Sequence, residues 1–141
     1  MVGDDIKKRL ECAIDKLYQD DNYLLQVESH EVSIAHRLAV YMEPHFVSWN
    51  IDLEYNRDKD EIKKRKNGRE FRPDIIVHKR GTDDNLVAIE IKTEWNRDDC
   101  GSDVGKLKEL TSGKFAYKVG IFLQITQNRK NVKLIVISVD S

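Results

Sequence analysis

Hydrophobic positions recur at steps of three and four residues in two stretches near the amino terminus. The first stretch, from Asp4 to Tyr18, has its apolar residues at Ile6, Leu10, Ala13, Ile14 and Leu17. This spacing places them on one face of an amphipathic helix. The second stretch runs from about Ser29 to Met42 and ends before Pro44, because the residue preceding a proline avoids helical geometry. Both patterns predict helices.

The second predicted helix carries an acidic residue on its apolar face. The residues of that face are Val27, Glu31, Ile34, Ala35, Leu38 and Met42. An unpaired carboxylate in a protein interior is costly. We therefore expect Glu31 to meet a partner or a cation. The alternative is a carboxylate at a helix start, where the helix dipole favours negative charge.

Residues 46–55 alternate between apolar and polar side chains, which is the period of a β-strand. Asp52 and Glu54 share the polar face of this strand and would add an acid to any site on a neighbouring strand. The stretch that follows, residues 56–70, consists almost entirely of charged and amide side chains. It predicts a mobile hairpin connection.

The rest of the chain predicts four further strands and one more helix. The strands are residues 71–79, 86–95, 119–125 and 132–139, of which the last two read as buried, and the helix spans roughly 103–117. The order αα-βββ-α-ββ predicts an α/β fold with a central mixed β-sheet flanked by helices. With 141 residues, the chain matches the usual size of one domain, so we expect residues 1–141 to form a single domain.

Composition and charge narrow the classes of partner. The net charge of -1 gives no general attraction to polyanions, so contact with nucleic acid would need a local basic face or a bound cation. No apolar run reaches the ~20 residues needed to span a bilayer, and the amino terminus does not resemble a signal peptide. We expect a cytoplasmic protein with no membrane partner. Cys12 and Cys100 form no C-x-x-C pair, so both are predicted to be reduced thiols.

Three charged side chains are expected to meet on one hairpin. Glu90 and Lys92 are two residues apart on a predicted strand and therefore project from the same face. Asp74 opens the preceding strand, and a short antiparallel connection can bring it beside Glu90. The sequence thus predicts two carboxylates and one ammonium at a common point.

Such a cluster suits the hydrolysis of phosphodiesters. Mg²⁺ needs only one or two protein carboxylates and keeps several waters, so Asp74 and Glu90 can be its ligands, with the Ile91 carbonyl as a third. Lys92 would orient the attacking water or stabilise charge at the phosphate. The alternative is structural: Asp74 caps a turn, and Glu90 and Lys92 form a solvated cross-strand ion pair.

These motifs resemble the PD-(D/E)XK nuclease superfamily. The resemblance rests on Arg72-Pro73-Asp74-Ile75-Ile76-Val77 followed by Leu86-Val87-Ala88-Ile89-Glu90-Ile91-Lys92. It extends to His30-Glu31, to 52–57 and to 106–111, as in a small bacterial branch of that superfamily. It covers the chain from about His30 to Gln124.

The resemblance implies a restriction-endonuclease-like fold and a Mg²⁺- or Mn²⁺-dependent DNA endonuclease. It implies that Glu31 joins Asp74 and Glu90 at the metal and that Lys92 is the catalytic lysine. Cutting both strands would call for a homodimer or two events. The superfamily also includes members that bind nucleic acid without cutting it, so an inactive nucleic-acid-binding or regulatory module is the alternative. A partner-binding domain with a surface ion-pair network is the second alternative.

Four further residues are candidates for nucleic-acid binding. Arg37 lies on the second predicted helix, Asn56 and Arg57 leave the first strand, and Lys106 is one turn into the third helix. Arginine, lysine and amide side chains commonly contact phosphate. The alternative for each is an ordinary solvated surface residue.

Overall fold

The computed structural model describes residues 2–55, 57–58, 61–62, 73–96, 101–111 and 116–138. Its helices are α1 (Val2–Asp20), α2 (Asn22–Gln26), α3 (Glu31–Met42) and α4 (Gly101–Thr111). Its strands are β1 (Asn50–Leu53), β2 (Arg57–Asp58), β3 (Glu61–Ile62), β4 (Ile75–His78), β5 (Asn85–Thr93), β6 (Val119–Ile125) and β7 (Lys133–Ser138). Short 3-10 turns cover Glu43–His45 and Arg129–Asn131.

Five strands form one mixed sheet in the order β1-β4-β5-β6-β7. The β5 and β6 strands are parallel and the other neighbours are antiparallel. Parallel neighbours need a long crossover connection, and α4 lies within it. The β2 and β3 strands pair with each other as a small antiparallel hairpin inside the predicted connection. The predicted α/β class, with a mixed sheet flanked by helices, is confirmed.

The sheet separates two apolar clusters. Odd-numbered residues of β4 and β5, such as Ile75 and Ile89, share a buried core with residues of α1 and α3. Even-numbered residues, such as Ile76 and Ala88, pack instead with Leu107 of α4. Because successive side chains of a strand alternate between faces, Glu90 and Lys92 project from the α4 side of β5.

The first strand begins later than predicted. The amide of Phe46 donates to the carbonyl of Glu43 and that of Trp49 donates to Phe46, so these residues close successive turns instead of pairing in a ladder. Phe46 is buried while Val47 is 83% exposed, and pairing with β4 starts only at Asn50. The predicted strand over 46–49 is therefore wrong.

Two other predicted boundaries are also wrong. The third predicted helix was expected to reach Tyr117, but α4 ends at Thr111, residues 112–115 lie outside the description, and Ala116 has a φ of 45°. Tyr117 is buried in the cluster with Leu107 instead of continuing a helix. Val27 does not belong to the apolar face of α3: it follows the unpredicted helix α2 and is 51% exposed.

The last strand is less buried than predicted. β6 is buried along most of its length, whereas β7 is paired only with β6 and leaves Ile135 50% exposed. Among the described helices, none is both long and apolar enough to cross a membrane. Cys12 is a free, exposed thiol, and Cys100 lies outside the described residues.

Candidate functional site

The β4–β5 hairpin brings Asp74 and Glu90 together. Ile75 pairs with Ile89 and Ile76 with Ala88, so the same register, continued by one residue, sets Asp74 opposite Glu90. The Asp74 Oδ2 atom accepts a hydrogen bond of 2.7 Å from the backbone amide of Ile91. The only shift in this register lies at the other end of the hairpin, between Val77 and His78. Regular strand pairing therefore fixes the spacing of the two carboxyl groups.

The two carboxyl groups lie in a poorly solvated position. Glu90 is only 3% exposed. Burial raises the pKa of Asp74, while the Ile91 amide, the charge of Lys106 and a hydrogen bond with Glu90 act against that rise. The negative charge of Glu31 raises the same pKa further. A cation between the two carboxyl groups would relieve their mutual repulsion.

Lys106 of α4 reaches this pair. Its Nζ atom lies 2.9 Å from Glu90 Oε1, and the two side chains are 19% and 4% exposed. From its place in the sequence, Lys106 is predicted to contact phosphate. In the structure its ammonium meets the predicted metal ligand.

Lys92 follows Glu90 on the same face of β5. It is 7% exposed, and in the described part of the chain no hydrogen bond or ion pair engages its ammonium. Lysine is almost never buried to this degree unless it is paired. Lys92 aligns with Gln124 of the parallel strand β6. A purely structural role does not explain why this ammonium is buried.

Glu31 is tied to the far end of β5. Its Oε2 atom accepts hydrogen bonds from the Thr93 amide at 2.9 Å and from Asn96 Nδ2 at 3.0 Å. Glu31 is half-buried in the first turn of α3, so the apolar face of that helix starts at Ile34 and does not include it. The expectation that this carboxylate meets a partner is confirmed. Thr93 and Asn96 were not foreseen, because they lie far from Glu31 along the chain.

A cleft of about 260 Å³ opens beside Asp74. The carboxylates of Glu31, Glu54 and Asp74 line it together with His30, Val32, Ala35 and Leu53. Glu54 ends β1 with a φ of 48°, and its amide donates to the Asp74 carbonyl at 3.2 Å. Of the two acids expected at the site from the first strand, Glu54 lines this cleft.

Asp52 has a different environment. Its Oδ2 atom lies 2.7 Å from Nε2 of the buried His78, and Arg80 binds both of its oxygens, at 2.8 and 2.6 Å. The Tyr55 ring contacts the His78 ring edge-on. Burial pushes the pKa of Asp52 upward, but the hydrogen bonds with Arg80 and His78 outweigh it, so the pKa lies below its usual range. Asp52 therefore cross-links β1 to β4.

The described side chain of Arg37 is held by contacts outside this cluster. Arg37 donates to Asp21 Oδ2 at 2.8 Å and to the Tyr41 hydroxyl at 3.1 Å, which ties α3 to the residue preceding α2. Asn56 lies outside the described residues, and of Arg57 only the backbone, in β2, is described. Phosphate contacts by these residues stay predictions.

The donor set decides what the site can hold. Within the described residues, no three His, Cys, Asp or Glu side chains form a group arranged to hold a metal ion. Two facing carboxylates nevertheless suit Mg²⁺, which takes one or two protein carboxylates, fills its other positions with water and accepts only hard oxygen ligands. Glu31 lines the same cleft as Asp74, and its charge raises the pKa of Asp74.

Comparison with known proteins adds no family. No protein-family model matches the chain, and no curated protein matches it as a relative. The case for a function therefore rests on the motif residues and on the geometry of this cluster.

Proposed function

We propose that the chain is a divalent-metal-dependent nuclease domain with the restriction-endonuclease-like fold of the PD-(D/E)XK superfamily. It hydrolyses phosphodiester bonds of nucleic acid, with DNA as the expected substrate and endonucleolytic cleavage as the expected reaction. One observation carries the proposal. Asp74 and Glu90 face each other across the hairpin, and the buried ammonium of Lys92 emerges from the same face two residues further on.

The two carboxylates fit Mg²⁺ or Mn²⁺. When bound, such an ion makes a coordinated water acidic enough to supply hydroxide near neutral pH and offsets charge at the phosphate. Asp74 and Glu90 would hold it, with the Ile91 carbonyl and Glu31 as further oxygen ligands. The hydrogen bond from the Ile91 amide fixes Asp74 Oδ2, so the carboxylate keeps its orientation before any ligand arrives.

Lys92 supplies the second function that hydrolysis needs. An ammonium removed from bulk water acts more strongly on nearby charge than an exposed one. From its position beyond Glu90, Lys92 would donate to the attacking water or to a phosphate oxygen. Within the described residues, no side chain engages this ammonium.

The anchoring of Glu31 supports the same site. The Thr93 amide and the Asn96 side chain hold its Oε2 atom and so join the start of α3 to the end of the lysine strand. Donor groups for a polyanionic backbone would come from Lys92, Lys106 and the predicted contacts Arg37, Asn56 and Arg57. Cleavage of both strands of a duplex would call for a homodimer or two successive events.

The test is a cleavage assay with matched variants. Purified protein is incubated with single-stranded, duplex and branched DNA and with RNA, each with Mg²⁺, Mn²⁺ or EDTA. Cleavage should require a divalent cation and be lost in Asp74→Ala and in Glu90→Ala. The control Asp84→Ala removes an exposed carboxylate from the turn of the same hairpin and should leave cleavage unchanged.

The outcomes separate the proposal from its rivals. Full cleavage in EDTA, or undiminished cleavage by Asp74→Ala, contradicts the proposed metal site. Binding of nucleic acid without cleavage under every condition indicates a silent binding or regulatory module. A protein that binds neither metal nor nucleic acid fits a partner-binding domain.

A further inference from the structure

The crossover helix places a cation on the candidate metal site. Leu107 of α4 packs into the apolar cluster on one face of the sheet, and this anchors the neighbouring Lys106 above β5. The Lys106 ammonium lies 2.9 Å from Glu90 Oε1. With 19% of its side chain exposed, Lys106 is largely withdrawn from solvent. It is therefore a built-in partner of Glu90 and not a freely solvated surface lysine.

The charges at this point do not allow Lys106 and a metal to occupy the same place. One ammonium compensates one of the two facing carboxylates, and its charge is felt at Asp74 as well. A divalent cation bound by the same carboxylates would lie a few ångströms from that ammonium. Two like charges at such a separation repel strongly where solvent is excluded.

We propose that Lys106 substitutes for the metal at Glu90 in the metal-free protein and is displaced when a divalent cation binds. This inference rests on the proposed function, because it concerns the same carboxylates. The displaced ammonium stays tethered to α4 beside the site and is then able to bind a phosphate group of the substrate. Metal and nucleic acid should consequently strengthen each other's binding, since a phosphate offers the displaced lysine a new partner.

The first test measures Mn²⁺ binding by isothermal titration calorimetry. Lys106→Met keeps the length of the side chain and removes its charge, while Lys118→Met removes the charge of an exposed lysine that precedes β6. Removal of the ion pair that competes with the metal for Glu90 should make Mn²⁺ binding about tenfold tighter in Lys106→Met. Lys118→Met should bind as wild type does. Equal affinity in wild type and Lys106→Met overturns the inference, and weaker binding does so too, since Lys106 would then support Glu90 as a ligand.

The second test uses the wild-type protein, so it does not depend on the folding of a variant. Lysines are acetylated briefly with acetic anhydride in EDTA or in Mn²⁺, and the modified positions are quantified by mass spectrometry. Displacement predicts that labelling of Lys106 rises several-fold in Mn²⁺ while labelling of Lys118 stays constant. Unchanged or reduced labelling of Lys106 overturns the inference.

The two proposals can fail separately. If calorimetry detects no binding of Mn²⁺ or Mg²⁺ to the wild-type protein, the proposed function fails and the exchange at Lys106 fails with it. If the metal binds and supports cleavage while Lys106 keeps its reactivity, only the exchange is wrong.

Discussion

Replacement of Asp52 by Asn tests whether the acids of the first strand divide into structural and functional groups. Asp52 joins β1 to β4 through His78 and Arg80, whereas Glu54 lines the cleft beside Asp74. Asn has nearly the same shape but only one acceptor oxygen and no charge. Asp52→Asn should therefore destabilise the fold without disturbing the candidate metal site.

The contacts indicate the size of the loss. The His78 ring is 3% exposed, and weakening the bond of a buried polar group costs about 1–3 kcal/mol. The Arg80 side chain is 56% exposed, so its ion pair contributes no more than about 1 kcal/mol. We expect a total near 2 kcal/mol. With an unfolding entropy of roughly 2.1 cal/mol/K per residue, a chain of 141 residues would melt about 7 °C lower.

The loss should depend on pH in a defined direction. The pKa of Asp52 is lowered in the folded protein, so its ionised form stabilises the fold at any pH above the unfolded pKa of about 3.9. That contribution disappears as the pH falls through the lower, folded-state pKa. The deficit of Asp52→Asn should be full at neutral pH and shrink in strong acid.

Urea unfolding followed by circular dichroism, at neutral pH and in acid, measures both effects. Arg80→Met serves as the control, because it removes only the exposed partner and should cost no more than about 1 kcal/mol. Thermal stabilisation by Mn²⁺ should be the same in Asp52→Asn as in wild type. A neutral-pH stability within about 0.5 kcal/mol of wild type would refute the assigned role of Asp52, as would a deficit that persists unchanged in acid.

Three further predictions concern the site itself. Lys92→Met should retain most of the affinity for nucleic acid and lose cleavage, measured by binding and single-turnover assays; an equal loss of both would make Lys92 a ground-state phosphate contact. Glu31→Gln should lower the stability of the metal-free protein by about 1 kcal/mol, because a neutral acceptor binds Thr93 and Asn96 less strongly. The same variant should gain less thermal stability from Mn²⁺. An undiminished response to Mn²⁺ would make Glu31 purely structural. Burial raises the pKa of Asp74, so the ionised carboxylate destabilises the metal-free fold once the pH rises through that pKa. Asp74→Asn should therefore be more stable than wild type in EDTA at neutral pH, and this gain in stability should vanish in acid. Urea unfolding that shows no gain at neutral pH contradicts this.

Local periodicity was sufficient to predict much of the fold. The bounds of β6 agree with the prediction, and α1 extends only two residues beyond each predicted end. Periodicity failed where a turn imitates alternation. Val47 and Trp49 have the two-residue spacing of strand residues, but the amides of Phe46 and Trp49 close turns after Pro44.

At the candidate site, too, local pattern predicted some contacts and missed others. The approach of Asp74 to Glu90 could be predicted because a short connection joins their strands, and regular antiparallel pairing then sets the two residues opposite each other. The partners of Glu31 could not be predicted, because Thr93 ends β5 and Asn96 follows that strand, far from Glu31 along the chain. Asp52 and Glu54 look equivalent in an alternating pattern. A left-handed residue at Glu54 ends the alternation, and no pattern of polar residues encodes that change of direction.

The position of the register shift in the β4–β5 hairpin has a consequence for engineering. The shift lies between Val77 and His78, at the turn end, while uninterrupted pairing connects it to Asp74. A change in the length of the exposed turn, residues 81–83, can be absorbed at that irregular end without moving Arg80 from Asp52. A residue inserted between Asp74 and Val77 would instead transfer the acid to the opposite face of the sheet. The exposed turn is thus a suitable point for grafting a peptide tag or a fluorescent reporter, because an insertion there leaves the candidate site at the other end in place.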